Sequence, residues 1–287
     1  MAKSLVVGLG IGRLYQKVLT NLNHEVITVD LNGSGDYVTV ADAVKDHKDF
    51  TCAFVCSPNH THYSIARQVA PYSQIVFCEK PGFKLSSHWR SIQDEFPTTR
   101  FMMIKNNQYR DNIDELKTLT HSTRRMFLHW VNYDRVPNPG SWFTNKHLSY
   151  GGVSRDLIPH LLSLVAVLDP NYREISWQEP IKFQNWQLTD LTSTDYGQVY
   201  ANGTYDVDDR WEITGATRNR QWEVRADWRS LTHTDIGIHF GPHFVELGLC
   251  PESAYQRMIS TAIENLNNNM FWIEQANQDK WIMNLIQ

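Results

Sequence analysis

Leu5-Val6-Val7-Gly8-Leu9-Gly10-Ile11-Gly12 decides the fold of this 287-residue chain. A short apolar run enters a glycine turn, and the following stretch, Arg13–Asn21, has helical spacing. An apolar run without alternation suits a strand buried on both faces, as in a parallel sheet. Working outward, strand-like runs recur at Glu25–Asp30, Cys52–Cys56, Gln74–Cys78 and Arg100–Lys105, with helical stretches such as His62–Val69 between them. Strands alternating with helices predict βαβ units.

After Lys105 the rhythm changes. A helix is expected over Asn112–Leu119 and a strand over Arg125–Tyr133, then a Pro/Gly loop and Ser141-Trp142-Phe143. Gly151-Gly152 precedes a helix reaching Leu168. Strands are expected at Ile181–Leu188, Gln198–Asp206, Trp211–Gly215 and Gln221–Trp228, with Thr217–Arg220 as a hairpin turn. Helices over Glu252–Asn267 and Phe271–Ile286 end the chain. Antiparallel strands after a βαβ half predict a second, α+β domain. The expected division is 1–110, a dinucleotide-binding domain, and 111–287, a domain for substrate and oligomerisation.

Composition narrows the function classes. Hydrophobic residues make up 41%, charged residues 20%, and the net charge is −4. That is ordinary globular composition. No run of Lys or Arg favours nucleic acid or an anionic membrane. The four cysteines, at 52, 56, 78 and 250, have no metal-site spacing and are expected as reduced thiols, with no metal bound. A core strand begins by residue 5 and no apolar run approaches about 18 residues, so a cytoplasmic protein with neither signal peptide nor membrane span is expected.

Three strand ends carry the candidate chemistry. Glycines at a strand-to-helix turn let backbone N–H groups approach a pyrophosphate. The spacing Gly8, Gly10, Gly12 is one residue shorter than G-x-G-x-x-G, whose third glycine falls at Arg13. An ordinary tight turn reads equally well there. Asp30, twenty residues after Gly10, suits acceptance of ribose hydroxyls and repels a 2′-phosphate, which favours NAD(H) while leaving NADP(H) possible. Ser57-Pro58-Asn59 closes the third strand, and His62 is either a ligand contact or a polar first-turn residue. Glu79-Lys80-Pro81 closes the fourth, where open α/β sheets place ligands. Lys80 suits stabilisation of a charged substrate oxygen; a surface ion pair is the plainer reading. Asp156 and His160, at i and i+4, share one face of a regular helix, so the carboxylate can tune the imidazole. Pro159 between them bends that helix or starts it anew.

Together these residues resemble the Gfo/Idh/MocA family (glucose–fructose oxidoreductase, inositol dehydrogenase, rhizopine catabolism). The resemblance runs from the glycine turn through Asp30, Ser57–His62, Glu79-Lys80-Pro81 and Tyr109-Arg110 to Gly151-Gly152 with Asp156 and His160, and Val207-Asp208-Asp209. It implies an α/β fold: an N-terminal Rossmann domain, then an α+β domain with an open, mostly antiparallel sheet through which homodimers or homotetramers form. It implies NAD(P)-dependent hydride exchange with a small-molecule substrate, a sugar, cyclitol or related alcohol or carbonyl. Cofactor contacts are implied for Gly8, Gly10, Ile11, Gly12, Asp30, Ser57, Pro58, Asn59, His62, Glu79 and Lys80. Lys80 would polarise the reacting oxygen and His160 act as acid/base, with Asp156, Arg110 and Trp142 around the substrate. Ile158 stands where the family has glycine in Asp-x-Gly-x-His. A biliverdin-reductase-like reductase and a non-catalytic nucleotide-binding regulator are the alternatives.

Overall fold

A computed structural model of the chain describes residues 2–191, 197–230 and 232–287. They form two compact units. The first runs to Asn106 and takes in Glu252–Leu285; the second is Asn107–Pro251.

In the first unit, β1 (Lys3–Val7), β2 (Glu25–Val29), β3 (Phe50–Val55), β4 (Ser73–Cys78) and β5 (Arg100–Met103) form one sheet of order β2-β1-β3-β4-β5. Every pairing is parallel. Helices α1 (Gly12–Asn21), α2 (Val40–Asp46), α3 (His62–Val69) and α4 (Ser87–Glu95) connect the strands. Leu5, Val6, Phe54, Ile75 and Phe77 are fully buried, as strands covered on both faces require. Tyr15 of α1 stacks on Phe54, which stacks on Phe77, at centroid distances of 5.0 and 4.7 Å. Strand order reverses between β1 and β3, the switch point at whose carboxyl end such sheets bind ligands.

The second unit opens with α5 (Ile113–Ser122) and β6 (Arg125–Tyr133), then the short α6 (Lys146–Ser149) and α7 (Val153–Asp156), and α8 (Ile158–Leu168). Strands β7 (Ser176–Trp177), β8 (Ile181–Phe183), β9 (Arg210–Ala216), β10 (Gln221–Ser230), β11 (Asp235–Phe240) and β12 (His243–Glu246) follow. The sheet order is β12-β11-β6-β10-β9-β7, with β8 also on β9. Only β6 and β10 pair in parallel. Along β6, Met126, Leu128 and Trp130 are buried, while on the alternate face Phe127 and Val131 are half-buried and Tyr133 is exposed, with His129 the buried exception there. That period of two marks a sheet with one covered and one open face. The covering layer includes α8, whose Leu161, Leu162, Leu164 and Val165 are buried.

Three strand expectations change. Ile181–Leu188 shortens to β8, because the Asn185 and Trp186 N–H groups donate to Asp209 Oδ2 (2.8 and 2.9 Å) instead of to a neighbouring strand. Gln198–Asp206 is not a strand; its contact there is a single bridge, Gly140 to Thr204. β11 and β12 were not expected, since glycine at 237 and 241 and histidine at 239 and 243 obscure their alternation. The Thr217–Arg220 turn is present, closed by Thr217 N donating to Arg220 O at 2.8 Å.

The chain then returns to the first unit through α9 (Glu252–Glu264) and α10 (Asn269–Ile286). Lys105, just past β5, is fully buried and ion-paired with Asp279 of α10, which also accepts from Met103 N at 2.9 Å. Trp89 Nε1 donates to Met283 Sδ, and Lys17 pairs with Glu252 at 2.6 Å. The expected division, 1–110 and 111–287, therefore differs from the observed units at its second half. A helix's apolar stripe shows that it packs, not on which sheet. Among the described residues no single helix is long and apolar enough to cross a membrane.

Candidate active site

The carboxyl ends of β1, β3 and β4 are laterally locked. Cys56 N donates to Val7 O at 2.8 Å, Glu79 N to Val55 O at 2.9 Å, and Gly8 N to Val29 O at 2.8 Å. This brings the glycine turn, Ser57 and Glu79-Lys80 to one edge of one sheet.

The glycine turn is irregular in spacing but not in use. A Cβ on Gly8 would lie 2.8 Å from the Cys56 carbonyl and from Ser57 N, and its φ is +92°. On Gly12 it would meet Val6 Cγ1 at 2.9 Å, so this glycine seats α1 against β1. A Cβ on Gly10 would meet nothing within 4 Å. Tight turn, open approach and helix–strand packing are the three glycine duties of a dinucleotide-binding turn. No side chain caps α1 at Ile11, which leaves its first N–H groups for an anion. The residues present thus fit a pyrophosphate.

Asp30 Oδ2 accepts from Leu9 N at 2.8 Å and Oδ1 from Asn32 N at 2.9 Å. Burial alone would raise its pKa, but these donations, Ser34 and the Arg13 charge hold it below the ordinary carboxylate value. The influence of Arg13 was not foreseen; its signal was its position where a third glycine normally stands. Thr61 Oγ1 lies 2.6 Å from Ser57 Oγ and 2.7 Å from Pro58 O, which closes the Ser57-Pro58-Asn59 turn.

Glu79 is buried. Its Oε1 accepts from Tyr15 Oη at 2.5 Å and its Oε2 from Lys80 N at 3.1 Å. Burial foremost, then the Glu79 charge, raises the Tyr15 pKa well above its ordinary value, so the phenol stays a donor. Lys80 is half-buried and joined to Pro81 by a cis peptide. His62 is fully buried, with Nδ1 2.8 Å from Gly82 O and Nε2 2.7 Å from Ser57 O. Burial pushes its pKa down to about 4 against the pull of both carbonyls. Standing between these two carbonyls, with one ring N–H to donate when neutral, His62 links the Ser57 turn to the Gly82 turn after Lys80, which is the plainer of its two readings.

In the second unit α7 ends at Asp156 and α8 starts afresh at Ile158, with Pro159 in its first turn. Lys146–Asp156 and Ile158–Leu168 meet at 43°. Asp156 and His160 therefore sit on different helices, which corrects the shared-face expectation. Asp156 Oδ2 accepts from Trp228 Nε1 at 2.8 Å, and the His160 ring lies 5.7 Å from that of Trp130. Asp156 and His160 are each half-buried. Ile158 is fully buried in the core. The two tryptophans were missed because indole packing and indole donation look alike in a sequence.

Arg110 Nε donates to Asn107 Oδ1 (2.8 Å), Nη1 to Leu247 O (2.7 Å) and Nη2 to Gly248 O (2.9 Å). At 6% exposure the guanidinium satisfies backbone carbonyls, a structural role beside the substrate contact that the resemblance implied. Trp142 is half-buried, stacked on Phe143 at 3.9 Å. Among the described residues no group of His, Cys, Asp and Glu could hold a metal ion.

Comparisons with known proteins agree with this fold. The family described as "Oxidoreductase family, NAD-binding Rossmann fold" matches residues 23–100. A curated Amycolatopsis mediterranei protein, provisionally named UDP-kanosamine synthase oxidoreductase subunit, is 29% identical over 126 residues, 42% of this chain and 35% of its own length. The chain thus matches about a third of that relative. Among solved structures, GenD2 from gentamicin A biosynthesis, in complex with NAD, superposes with a TM-score of 0.78 at 15% identity, covering 99% of this chain and 92% of that one. Levoglucosan dehydrogenase, in complex with NADH and levoglucosan, gives 0.71 at 14%, covering 99% and 95%. A myo-inositol dehydrogenase from Corynebacterium glutamicum gives 0.70 at 13%, covering 100% and 94%. At these identities the structural likeness shows the fold. The class defined is a two-unit α/β chain: a parallel sheet whose residues 23–100 match an NAD-binding Rossmann oxidoreductase model, followed by a mixed-sheet second unit. Residues 23–100 match the Gfo/Idh/MocA family model, and the whole described chain shares the fold of the solved structures named above.

Proposed function

We propose that this protein is an NAD-dependent dehydrogenase acting on a sugar, cyclitol or related alcohol. The observation that carries the reading is the locking of three strand ends at the β1/β3 switch point, with open Gly10 and uncapped α1 on one and Lys80 on another. Gly8, Gly10, Ile11 and Gly12 would hold the pyrophosphate, Asp30 the adenosine ribose, and Ser57, Pro58 and Asn59 the nicotinamide side. Bound NAD supplies the hydride acceptor for the substrate carbon. Lys80, placed by the Glu79 and His62 contacts, stabilises negative charge on the substrate oxygen. His160 takes the alcohol proton, and Asp156, fixed by Trp228, accepts a substrate hydroxyl.

The test is a titration with NADH and NADPH, followed by a screen of sugars and cyclitols. Tighter NADH than NADPH supports the Asp30 assignment; the reverse preference overturns it. Lys80→Ala is expected to lower kcat by roughly 100-fold or more while NADH affinity stays within a few-fold. Unchanged turnover would remove Lys80 from the mechanism.

We also propose self-association through the open sheet face. Its support is a cluster of Phe127, His129, His239 and Phe244, with neighbouring centroids 4.7–6.0 Å apart. Phe244 is exposed at 40%, Phe127 and His239 are half-buried and His129 lies buried among them; a partly open aromatic cluster on a sheet is the composition of an interface core. Sedimentation of wild type against Phe244→Glu tests it, with a shift to monomer expected.

A further inference from the structure

Between the apolar residues Val153 and Leu157, the strand-facing turn that precedes Asp156 carries an arginine. Arg155 is 6% exposed, yet its Nε and Nη1 have no hydrogen-bond partner. A buried donor without a partner costs about 1–3 kcal/mol, and more when charged. The nearest counter-charge is already committed. Asp208 Oδ1 accepts from Gly152 N at 3.0 Å and from Ser154 Oγ at 2.9 Å, and Oδ2 accepts from Ser154 N at 2.8 Å. These bonds hold the Gly151-Gly152 turn. There the Arg155 stem packs so closely that a Cβ on Gly151 would lie 2.8 Å from Arg155 Cγ.

Two further cations gather at this place. Lys146 of α6 is exposed, Lys182 of β8 reaches the surface with part of its side chain covered, and the charges of Arg155 and Lys146 both act on Lys182. Burial chiefly pushes Lys182 down, Asp208 opposes it, and the Arg155 and Lys146 charges add to the push; burial pushes Arg155 down to about 10, opposed by Asp208 and Tyr150. Packing does not explain an arginine here, because an apolar residue would fill the position without orphaned donors. A bound oxyanion would satisfy the planar fork and relieve the repulsion at once.

We infer that Arg155, with Lys182 and Lys146, forms an oxyanion subsite that takes a carboxylate or phosphate carried by the substrate. The word substrate rests on the dehydrogenase reading above; the subsite itself does not. Neighbouring helical residues project about 100° apart, so this group sits beside the Asp156 position and adds a charge requirement to the alcohol chemistry. The substrate class becomes an acidic or phosphorylated sugar or cyclitol.

The test uses the full chain and two probes, inorganic phosphate and acetate, at constant ionic strength. The readout is the arginine Nε–H resonances, with Arg155 assigned by its loss in Arg155→Met. Saturable movement of the Arg155 resonance is expected with at least one probe. Lys182→Gln, on an exposed side chain, should weaken that binding roughly threefold to tenfold without altering NADH affinity. It keeps the test decisive if Arg155→Met does not fold, since assignment can then use Arg155→Lys. Tighter phosphate assigns a phosphoryl substrate, and tighter acetate a carboxylate; either supports the subsite. An Arg155 resonance that ignores both probes, or an affinity untouched by Lys182→Gln, overturns it. Absence of NADH and NADPH binding would sink the proposed function and leave this result standing.

Discussion

Tyr15 and Glu79, 64 residues apart, are joined by a buried 2.5 Å hydrogen bond from the phenol to the carboxylate. The contact links the helix that follows the glycine turn to the strand end that carries Lys80. Glu79 thereby fixes the backbone before Lys80 through its other oxygen, which accepts from Lys80 N. The acid of the Glu-Lys-Pro triplet thus acts on position as well as on charge.

Tyr15→Phe should accordingly destabilise the protein by about 1–3 kcal/mol, the cost of leaving a buried acceptor without its donor. Urea unfolding measures this. A midpoint equal to that of wild type would show that Glu79 finds another donor.

The glycines separate folding from binding. Gly8→Ala places a Cβ against the Cys56 carbonyl at a left-handed φ, and should cost about 2–4 kcal/mol. Gly10→Ala meets no protein atom within 4 Å and should change stability by less than about 0.5 kcal/mol. Its NADH affinity should nevertheless fall roughly tenfold, ~1.4 kcal/mol, since a methyl would occupy the pyrophosphate approach. Unfolding curves beside NADH titrations check both. Undiminished NADH binding by Gly10→Ala would place the cofactor elsewhere.

How much of this was legible in the sequence follows from what each residue type can do alone. The parallel sheet shows because its strands are unbroken apolar runs ended by Gly8, Ser57 and Glu79, and His62–Val69 and Arg125–Tyr133 are found at their expected bounds. Arg110 and His62 read ambiguously in the sequence for one shared reason. The donors that recognise a ligand also satisfy buried carbonyls, and the carbonyls of Leu247 and Gly248 lie 137 and 138 residues from Arg110. The return of α9 and α10 was equally hidden, since Asp279 becomes meaningful only beside Lys105. Pro159 did announce the break before α8, because its missing N–H is tolerated only in a first turn.

His62 makes stability depend on pH. Its folded pKa, about 4, lies below the unfolded value of about 6.5. The unfolded chain therefore binds this proton first. The His62 contribution is fully present above about pH 6.5 and is lost as pH falls toward 4, amounting to about 3 kcal/mol across that window. Chemical unfolding at several pH values should show a weaker slope in His62→Gln than in wild type. Parallel slopes would mean that the imidazole is protonated between its two carbonyls at neutral pH.

The last prediction concerns Lys105 and Asp279, both fully buried, which fasten α10 to the end of β5. Burial pushes Lys105 down and Asp279 up, each toward its neutral form, and each charge opposes that push on the other. Removing one partner leaves a buried charge alone, which typically costs about 3–5 kcal/mol. Lys105→Met should show that loss. Asp279→Asn keeps an oxygen to accept from Met103 N, so adding it to Lys105→Met removes the orphaned charge without orphaning the backbone donor. The double variant should recover much of the stability, with a coupling energy of roughly 1–3 kcal/mol by double-mutant cycle. Simple additivity of the two losses would show that Asp279 holds α10 through Met103 alone, and that the lysine contributes by packing.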